Sequence, residues 1–235
     1  MRRLVYLFFC TNLLLIQAVA QQQPTYIEDK YSFYLSLQLA NAIGNYHNVL
    51  KEANKAGIKG GLVLGGLINP YGRKRASPVF YGAEIGFQGD GRDGVNTNVN
   101  GDFYVSNNSY WLNGLARYRP ILWSSKINPY ADAFFGGKLI KTNIVEQLDE
   151  EETEILEGAS KLVPNYGLGV GVGIKLFGGL KNSYLDIGVY YQQAEATKIV
   201  KRNSVNISND FDISYKQILT ATNQFIIKIG LTGFQ

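Results

Sequence analysis

Apolar and polar residues alternate one by one along most of this 235-residue chain. A period of two places successive side chains on opposite faces of a β-strand, whereas an amphipathic helix needs a period near 3.6. The alternation therefore predicts an all-β fold. The predicted strands span 31–43, 58–69, 78–89, 110–122, 129–141, 163–177, 183–195 and 223–234.

The connections between these strands are alternately long and short. In an up-and-down barrel, every second connection falls at the same rim, and bacterial outer-membrane barrels have short turns at one rim and long loops at the other. The pattern predicts an eight-stranded antiparallel up-and-down transmembrane β-barrel with four long external loops and both termini in the periplasm. The long connections are 44–57, 90–109, 142–162 and 196–222, and the short ones 70–77, 123–128 and 178–182.

The composition of the two strand faces distinguishes a membrane barrel from a soluble one. A soluble barrel needs a charged outer face, yet only 18% of the residues are charged and the less apolar faces are rich in glycine. Glycine suits the crowded inside of a narrow barrel, and the aliphatic ladders opposite suit lipid. The ionisable residues on the glycine-rich faces are predicted to form a charge network inside the barrel: Glu84, Arg117, Arg119, Asp132, Lys138, Lys175, Asp186 and Lys228.

Hairpin symmetry and strand ends give finer expectations. Symmetric turns would place Lys175 opposite Asp186 and Arg119 opposite Asp132, and Glu84 could meet Arg117 on the adjacent strand. Aromatic residues near the strand ends are predicted to form interfacial girdles. These aromatic residues are Tyr71, Tyr110, Trp123, Tyr130, Phe177 and Tyr184.

The first twenty residues have the pattern of a secretory signal peptide. Two arginines precede an apolar stretch, and Ala18-Val19-Ala20 forms a small-x-small cleavage site. We expect 1–20 to be removed, 21–30 to be a periplasmic segment and 31–235 to be the barrel. The single cysteine, Cys10, would leave with the signal peptide, so no disulfide or thiolate chemistry is expected.

Two segments resemble the outer-membrane-protein β-barrel domain family. Residues 113–120 read Asn-Gly-Leu-Ala-Arg-Tyr-Arg-Pro and 128–137 read Asn-Pro-Tyr-Ala-Asp-Ala-Phe-Phe-Gly-Gly. They look like the Arg-Tyr…Pro and Pro-Tyr…Gly pair of that family, and the glycine-alternating run from Gly167 is similar too. The resemblance implies a small barrel of the OmpA and OmpX type in the outer membrane of a Gram-negative-type envelope. It also implies contact with outer-membrane lipids and lipopolysaccharide, and with periplasmic chaperones and the barrel-assembly machinery.

No catalytic motif accompanies the barrel pattern. The only histidine, His47, cannot build a triad or a multi-histidine metal site, and no Gly-x-Ser-x-Gly motif occurs. We therefore expect no enzyme, no cofactor and no metal, and the net charge of +4 is too small to indicate nucleic-acid binding. An acidic run in 142–162 is either a solvated loop or a weak external cation or basic-partner site: Asp149, Glu150, Glu151, Glu152, Glu154 and Glu157.

These observations favour a structural or cell-surface interaction role. A narrow porin or small-solute channel is the alternative, although eight strands enclose little space and inward charges would fill it. A barrel-embedded hydrolase is a third hypothesis, without a motif to support it.

Overall fold

The computed structural model of the chain describes residues 30–51, 59–72, 77–95, 97, 101–120, 126–147, 153–176, 183–201, 204–208, 210 and 212–234. The predicted signal peptide, 1–20, and nearly all of the predicted periplasmic segment 21–30 lie outside these residues. The one helix that the structure describes is too short to cross a membrane.

Eight antiparallel strands close on themselves into a barrel. The barrel strands are β1 (Tyr31–Ala42), β2 (Lys59–Ile68), β3 (Val79–Gly94), β4 (Asp102–Tyr118), β5 (Ile127–Gln147), β6 (Thr153–Lys175), β7 (Ser183–Ala194) and β12 (Gln224–Phe234). Four short strands lie in the connection between β7 and β12: β8 (Ala196–Val200), β9 (Asn206–Ile207), β10 (Ile213–Ser214) and β11 (Gln217–Ala221). Consecutive barrel strands are neighbours, and β12 pairs with β1 to close the ring. The predicted eight-stranded up-and-down barrel is confirmed.

The two faces of the barrel wall have inverted polarity relative to a soluble protein. Along β1 every second side chain is buried, in step with the alternation of the sequence. The outward residues Leu37, Phe135 and Leu168 are 65%, 67% and 67% exposed, whereas inward Gln38 is 1% exposed. A continuous apolar outer surface of this kind would be unstable in water and matches the hydrocarbon region of a bilayer.

Aromatic rings fill the lumen above inward glycines. A Cβ atom on Gly167 would overlap the ring of Phe134, and one on Gly169 would overlap the ring of Tyr190. The glycines of β6 therefore make room for rings from β5 and β7. An eight-stranded barrel has an interior only wide enough for side chains, so this pairing of small and large residues keeps it packed.

The strands are longer than predicted at the rim with the long connections. The predicted loop 90–109 is mostly strand, since β3 continues to Gly94 and β4 begins at Asp102. The predicted loop 142–162 likewise contains the ends of β5 and β6. Residues 106–109 read Ser-Asn-Asn-Ser, so the apolar alternation stops there while backbone pairing continues. Hydrophobic periodicity reports where a strand meets lipid, and it misses the part that extends beyond.

The predicted girdle is only partly correct. Tyr71 and Tyr110 are exposed, and Tyr110 packs against Phe87 with ring centroids 5.2 Å apart. Tyr130 and Tyr184 are buried on the inward phase of their strands, so their assignment to the girdle is wrong. Trp123 and Phe177 lie outside the described residues.

A short helix, α1 (Asn45–Lys51), follows β1 at the rim with the long connections. Its Tyr46 and Val49 pack into an apolar cluster that we call the apolar cap. A seven-residue helix is marginal alone, so this packing must stabilise it. The cap also joins α1 to the connection between β7 and β12, and its residues are Ala42, Tyr46, Val49, Ile140, Val163, Ala194 and Ile199.

Candidate functional site

Arg117 on β4 is the centre of a buried charge cluster inside the barrel. Its Nε and Nη2 each donate a 2.8 Å hydrogen bond to one carboxylate oxygen of Asp132 on β5. Its Nη1 lies 3.1 Å from Oδ2 of Asp186 on β7. The bidentate geometry fixes the guanidinium plane, and the third contact ties together walls that are not adjacent in the sheet.

Glu84 on β3 organises the second half of the cluster. Lys228 Nζ on β12 donates to Glu84 Oε2 at 2.8 Å, and the Tyr34 hydroxyl donates to the same oxygen at 2.9 Å. Asn113 Nδ2 donates to Glu84 Oε1 at 3.0 Å. We call Glu84, Arg117, Asp132, Asp186 and Lys228 the ion cluster.

Hydroxyl groups complete the hydrogen bonding of the ion cluster. The Tyr190 hydroxyl donates to Asp132 at 2.9 Å, and Thr232 Oγ1 donates to Asp186 at 2.6 Å. The remaining gap among these side chains has a volume of about 10 Å³, at most the room for one water molecule. A buried ion pair is tolerable only when its remaining hydrogen-bonding capacity is satisfied, as it is here.

A layer of glutamines lies farther along the lumen towards the apolar cap. Gln38 Nε2 donates to Gln88 Oε1 at 2.6 Å, and Gln88 Nε2 lies 3.1 Å from Gln224 Oε1. Gln224 in turn donates to Gln192. We call these four residues the glutamine layer. The sequence did not predict this layer, although all four glutamines lie on the inward phase of their strands.

The predicted charge pairs have the wrong register, although their acidic members do face the lumen. Arg117, not Arg119, is the register partner of Asp132, and Gly173, not Lys175, is the partner of Asp186. Glu84 is opposite Asn113 rather than bonded to Arg117. Odd or even position in a strand decides which face a residue occupies, whereas the register between two strands depends on the geometry of the turn that joins them. The assumption of symmetric turns displaced the predicted partners by two residues in both hairpins.

The eight predicted interior residues therefore divide into three groups. The five members of the ion cluster and Lys138 are buried inside the barrel. Arg119 is half-buried near the rim with the short connections, and its guanidinium lies 4.8 Å from the centroid of the Tyr184 ring. Lys175 is exposed at the last position of β6.

The predicted acidic patch is only partly within the described residues. Asp149, Glu150, Glu151 and Glu152 lie outside them, whereas Glu154 and Glu157 lie on β6 rather than in a loop. Glu157 accepts a 3.0 Å hydrogen bond from the Tyr215 hydroxyl, and this bond raises the pKa of Tyr215 above its ordinary value. Within the described part of the chain, no group of three or more His, Cys, Asp or Glu could hold a metal ion.

Strands β3 to β6 continue beyond the rest of the barrel as a four-stranded sheet. The ladder between β2 and β3 ends at Gln88, and that between β6 and β7 ends at Asn165. We call the continuation, residues 89–94, 102–108, 141–147 and 153–162, the protruding sheet. Its inner face packs against the connection between β7 and β12 in a second apolar cluster of Phe103, Val105, Ile144, Val200, Val205 and Ile207.

Comparison with known proteins gives structural neighbours only. No protein-family model matches the sequence, and no curated protein matches it. Neisserial surface protein A is 12% identical with a TM-score of 0.42, over 87% of this chain and 97% of that one. A major outer membrane protein from Thermus thermophilus is 12% identical with a TM-score of 0.47, over 86% and 98%. Ail, the attachment invasion locus protein of Yersinia pestis, is 11% identical with a TM-score of 0.39, over 87% and 99%.

At these similarities, no property of those proteins is transferred to this chain, and its fold class rests on its own strand pairing and burial. The closed ring, the apolar outside and the ion-paired inside together define the architecture. This chain is an eight-stranded antiparallel up-and-down β-barrel with the apolar outer wall of a transmembrane barrel.

Proposed function

We propose that the chain resides in the outer membrane and acts at the cell surface by binding a partner, rather than by passing solutes or catalysing a reaction. The single observation that carries this proposal is the protruding sheet. A purely structural barrel has no need for paired strands that continue beyond its apolar band. Such an extension presents folded backbone and side chains to the exterior, where binding specificity of small barrels resides.

The bracing of the protruding sheet supports the same proposal. Its inner face is covered by the apolar cluster around Val105 and Ile144, so the sheet is held in one conformation. Its two lateral edges, 89–94 of β3 and 153–162 of β6, pair with no further barrel strand among the described residues. A rigid sheet with open edges is a suitable surface for recognising an external partner.

The surface chemistry of the wall supports the proposed outer-membrane location. Lipid contacts the outward aliphatic side chains, and lipopolysaccharide surrounds the rim from which the protruding sheet emerges. Residues 1–20 would direct export as a signal peptide, and periplasmic chaperones and the barrel-assembly machinery would insert the chain. Fractionation of cells producing the tagged chain tests this: recovery in the outer membrane is expected, and recovery as a soluble protein would contradict it.

The filled lumen argues against the channel alternative. The ion cluster, the glutamine layer and the apolar cap occupy successive levels of the described interior. The expected result in planar bilayers is therefore the absence of stable conductance steps from the refolded barrel. Ion-selective steps of constant size would instead favour the channel.

A trimmed barrel tests the binding role. Gly91 faces Asn107, and Asn143 faces Gly158, so the hairpins can be closed there by Asn-Gly turns that replace 92–106 and 144–157. Intact and trimmed barrels in nanodiscs are used to capture surface-labelled envelope and extracellular proteins. A partner retained by the intact barrel and lost with the trimmed one supports the proposal. Equal retention by both, or none above empty nanodiscs, would overturn it.

A further inference from the structure

The outer face of β3 to β6 becomes polar directly beyond the apolar band. The last apolar row on this face consists of register partners on the four strands: Phe87, Tyr110, Leu139 and Leu162. The next two outward rows carry amides, hydroxyls and two cations, and we call them the polar belt: Asn108, Lys141 and Ser160, then Arg92, Ser106 and Asn143. Each row lies about 7 Å farther along the strands, so in a membrane the polar belt lies in the head-group layer.

Charge is distributed unequally between the two faces of the protruding sheet. Its inner phase holds all of its acidic residues except Asp102, which lies at the far end of β4: Asp90, Asp93, Glu146, Glu154 and Glu157. The inner phase also holds one cation, Lys161. Arg92 and Lys141 are on the outer phase, and neither has an ion pair among the described residues. The outer face next to the apolar band is therefore positively charged without a carboxylate to balance it.

The two cations of the polar belt are held apart. The guanidinium carbon of Arg92 lies 4.9 Å from the centroid of the Tyr104 ring. Tyr104 is one outward row farther from the apolar band than Ser106, the register partner of Arg92. Lys141 lies on the near side, in the row that follows the apolar band. Two strand spacings and two residues separate the Cα atoms of Arg92 and Lys141, which is roughly 12 Å.

This spacing and the neutral groups of the polar belt indicate the chemistry of its ligand. Two separated cations fit a head group with two anionic groups better than a phospholipid with a single phosphate. Amides and hydroxyls between the cations fit sugar hydroxyl groups, which both donate and accept hydrogen bonds. The polar belt is also continuous with the apolar outer face, so one ligand with acyl chains and a charged sugar head contacts both.

We propose that the polar belt binds the phosphorylated sugar head group of lipopolysaccharide in the outer leaflet. Lys141 and Arg92 contact its phosphates, the amides and hydroxyls of the polar belt bond its sugars, and its acyl chains lie on the apolar band. The inference rests on the proposed outer-membrane location. It is independent of the partner binding proposed for the protruding sheet, which uses the open edges rather than the outer face.

Lipid A, the phosphorylated and acylated disaccharide of lipopolysaccharide, is the probe for this site. Its dissociation constant is measured by titration of the intact barrel in zwitterionic detergent. Lys141→Gln and Arg92→Gln should each weaken binding about fivefold, and the double variant about 25-fold, as expected for basic residues at an anionic surface. Lys198→Gln, which changes an exposed lysine on β8 outside the polar belt, is the matched control and should bind as the parent does. Unchanged binding in the double variant, or an equal loss in the control, would overturn the proposal.

Two further lipids distinguish this site from general attraction to anionic lipid. Lipid A stripped of its phosphates, and phosphatidylglycerol, which has one phosphate and no sugar, should both bind the intact barrel at least about tenfold more weakly. Equal affinity for phosphatidylglycerol and lipid A would reject the proposal. Both comparisons use the parent chain, so they remain decisive if a variant does not fold. Recovery in the outer membrane without any preference for lipid A would reject the polar belt as a site and leave the proposed location intact.

Discussion

At the scale of single residues, the interior is organised by charged groups that bind across the lumen. Arg117 joins β4 to both β5 and β7, and Lys228 joins β12 to β3. Removing one partner of such a pair leaves an uncompensated buried charge, whereas removing both leaves mainly lost packing. We therefore predict that the two members of a buried ion pair are energetically coupled, so that the loss on removing both is smaller than the sum of the single losses.

Asp132→Ala should destabilise the barrel by about 3 kcal/mol because it leaves Arg117 without its bidentate partner. Combined with Arg117→Met in a double-mutant cycle, it should show a coupling energy of about 1–3 kcal/mol. The measurement is urea unfolding in detergent or lipid. The matched control is the cycle with Arg119→Met, which should show coupling near zero. Stronger coupling of Asp132 to Arg119 than to Arg117 would contradict the register.

The sequence predicted which residues enter the barrel better than which residues meet. The alternation within each strand places Arg117, Asp132 and Asp186 on the inward face, and an error in turn length does not change this. Their partners depend on turn residues that carry no periodic signal, so the predicted pairs were wrong. The Lys138 ammonium has no hydrogen-bond partner among the described residues, and this too is invisible in sequence, because it depends on side chains from β4, β5 and β6.

At the scale of single elements, β6 shows how glycine spacing shapes the lumen. Its inward glycines lie under the rings of Tyr130, Phe134 and Tyr190, and the Tyr190 hydroxyl also binds Asp132. The run was recognised from sequence as part of a strand. Its role as a set of ring sites could not be recognised, because the rings come from β5 and β7.

Gly169→Ala should destabilise the barrel by about 1–3 kcal/mol, since the new methyl group displaces the Tyr190 ring and disturbs its bond to Asp132. Gly114→Ala is the matched control, because a Cβ there would meet only Phe135 O at 3.7 Å. This control should stay within about 0.5 kcal/mol of the parent. Unfolding midpoints in urea compare the two, and equal losses would argue against ring packing on β6.

The contact between Tyr215 and β6 makes the bracing of the protruding sheet sensitive to alkaline pH. The hydroxyl donates to the Glu157 carboxylate, so the pKa of Tyr215 is raised and the bond persists below that pKa. It is lost as pH rises through the raised value and Tyr215 ionises. Glu157→Gln should lower the pKa of Tyr215 towards its ordinary value. NMR titration of labelled tyrosine measures this, and an unchanged pKa would refute the bond.

At the scale of the whole molecule, the even number of barrel strands places the start of β1 and the end of β12 at the same rim of the barrel. The short turns lie at this rim, and the apolar cap and the protruding sheet lie at the opposite rim, which is external in the orientation that we propose. Sequence predicted this asymmetry from connection lengths. It overestimated the loops, because polar strand extensions lack the alternation that lipid contact imposes.

Single-cysteine labelling tests the orientation. Residues 21–235 contain no cysteine, so Lys198→Cys and Lys175→Cys each provide a unique thiol at an exposed position. An impermeant maleimide on intact cells should label position 198 and reach position 175 only after lysis. The reverse pattern would invert the topology.

A transmembrane barrel requires the apolar side of the wall to face lipid, and β1 allows this to be measured residue by residue. Spin labels are placed one at a time from 33 to 40 in the barrel reconstituted into lipid, and their collision rates with oxygen are recorded. Oxygen concentrates in the bilayer, so the odd positions, including Leu35 and Leu37, should collide frequently and the even positions, including Ser36 and Gln38, rarely. Uniform rates along β1, or an alternation with the even positions in lipid, would contradict the barrel described here.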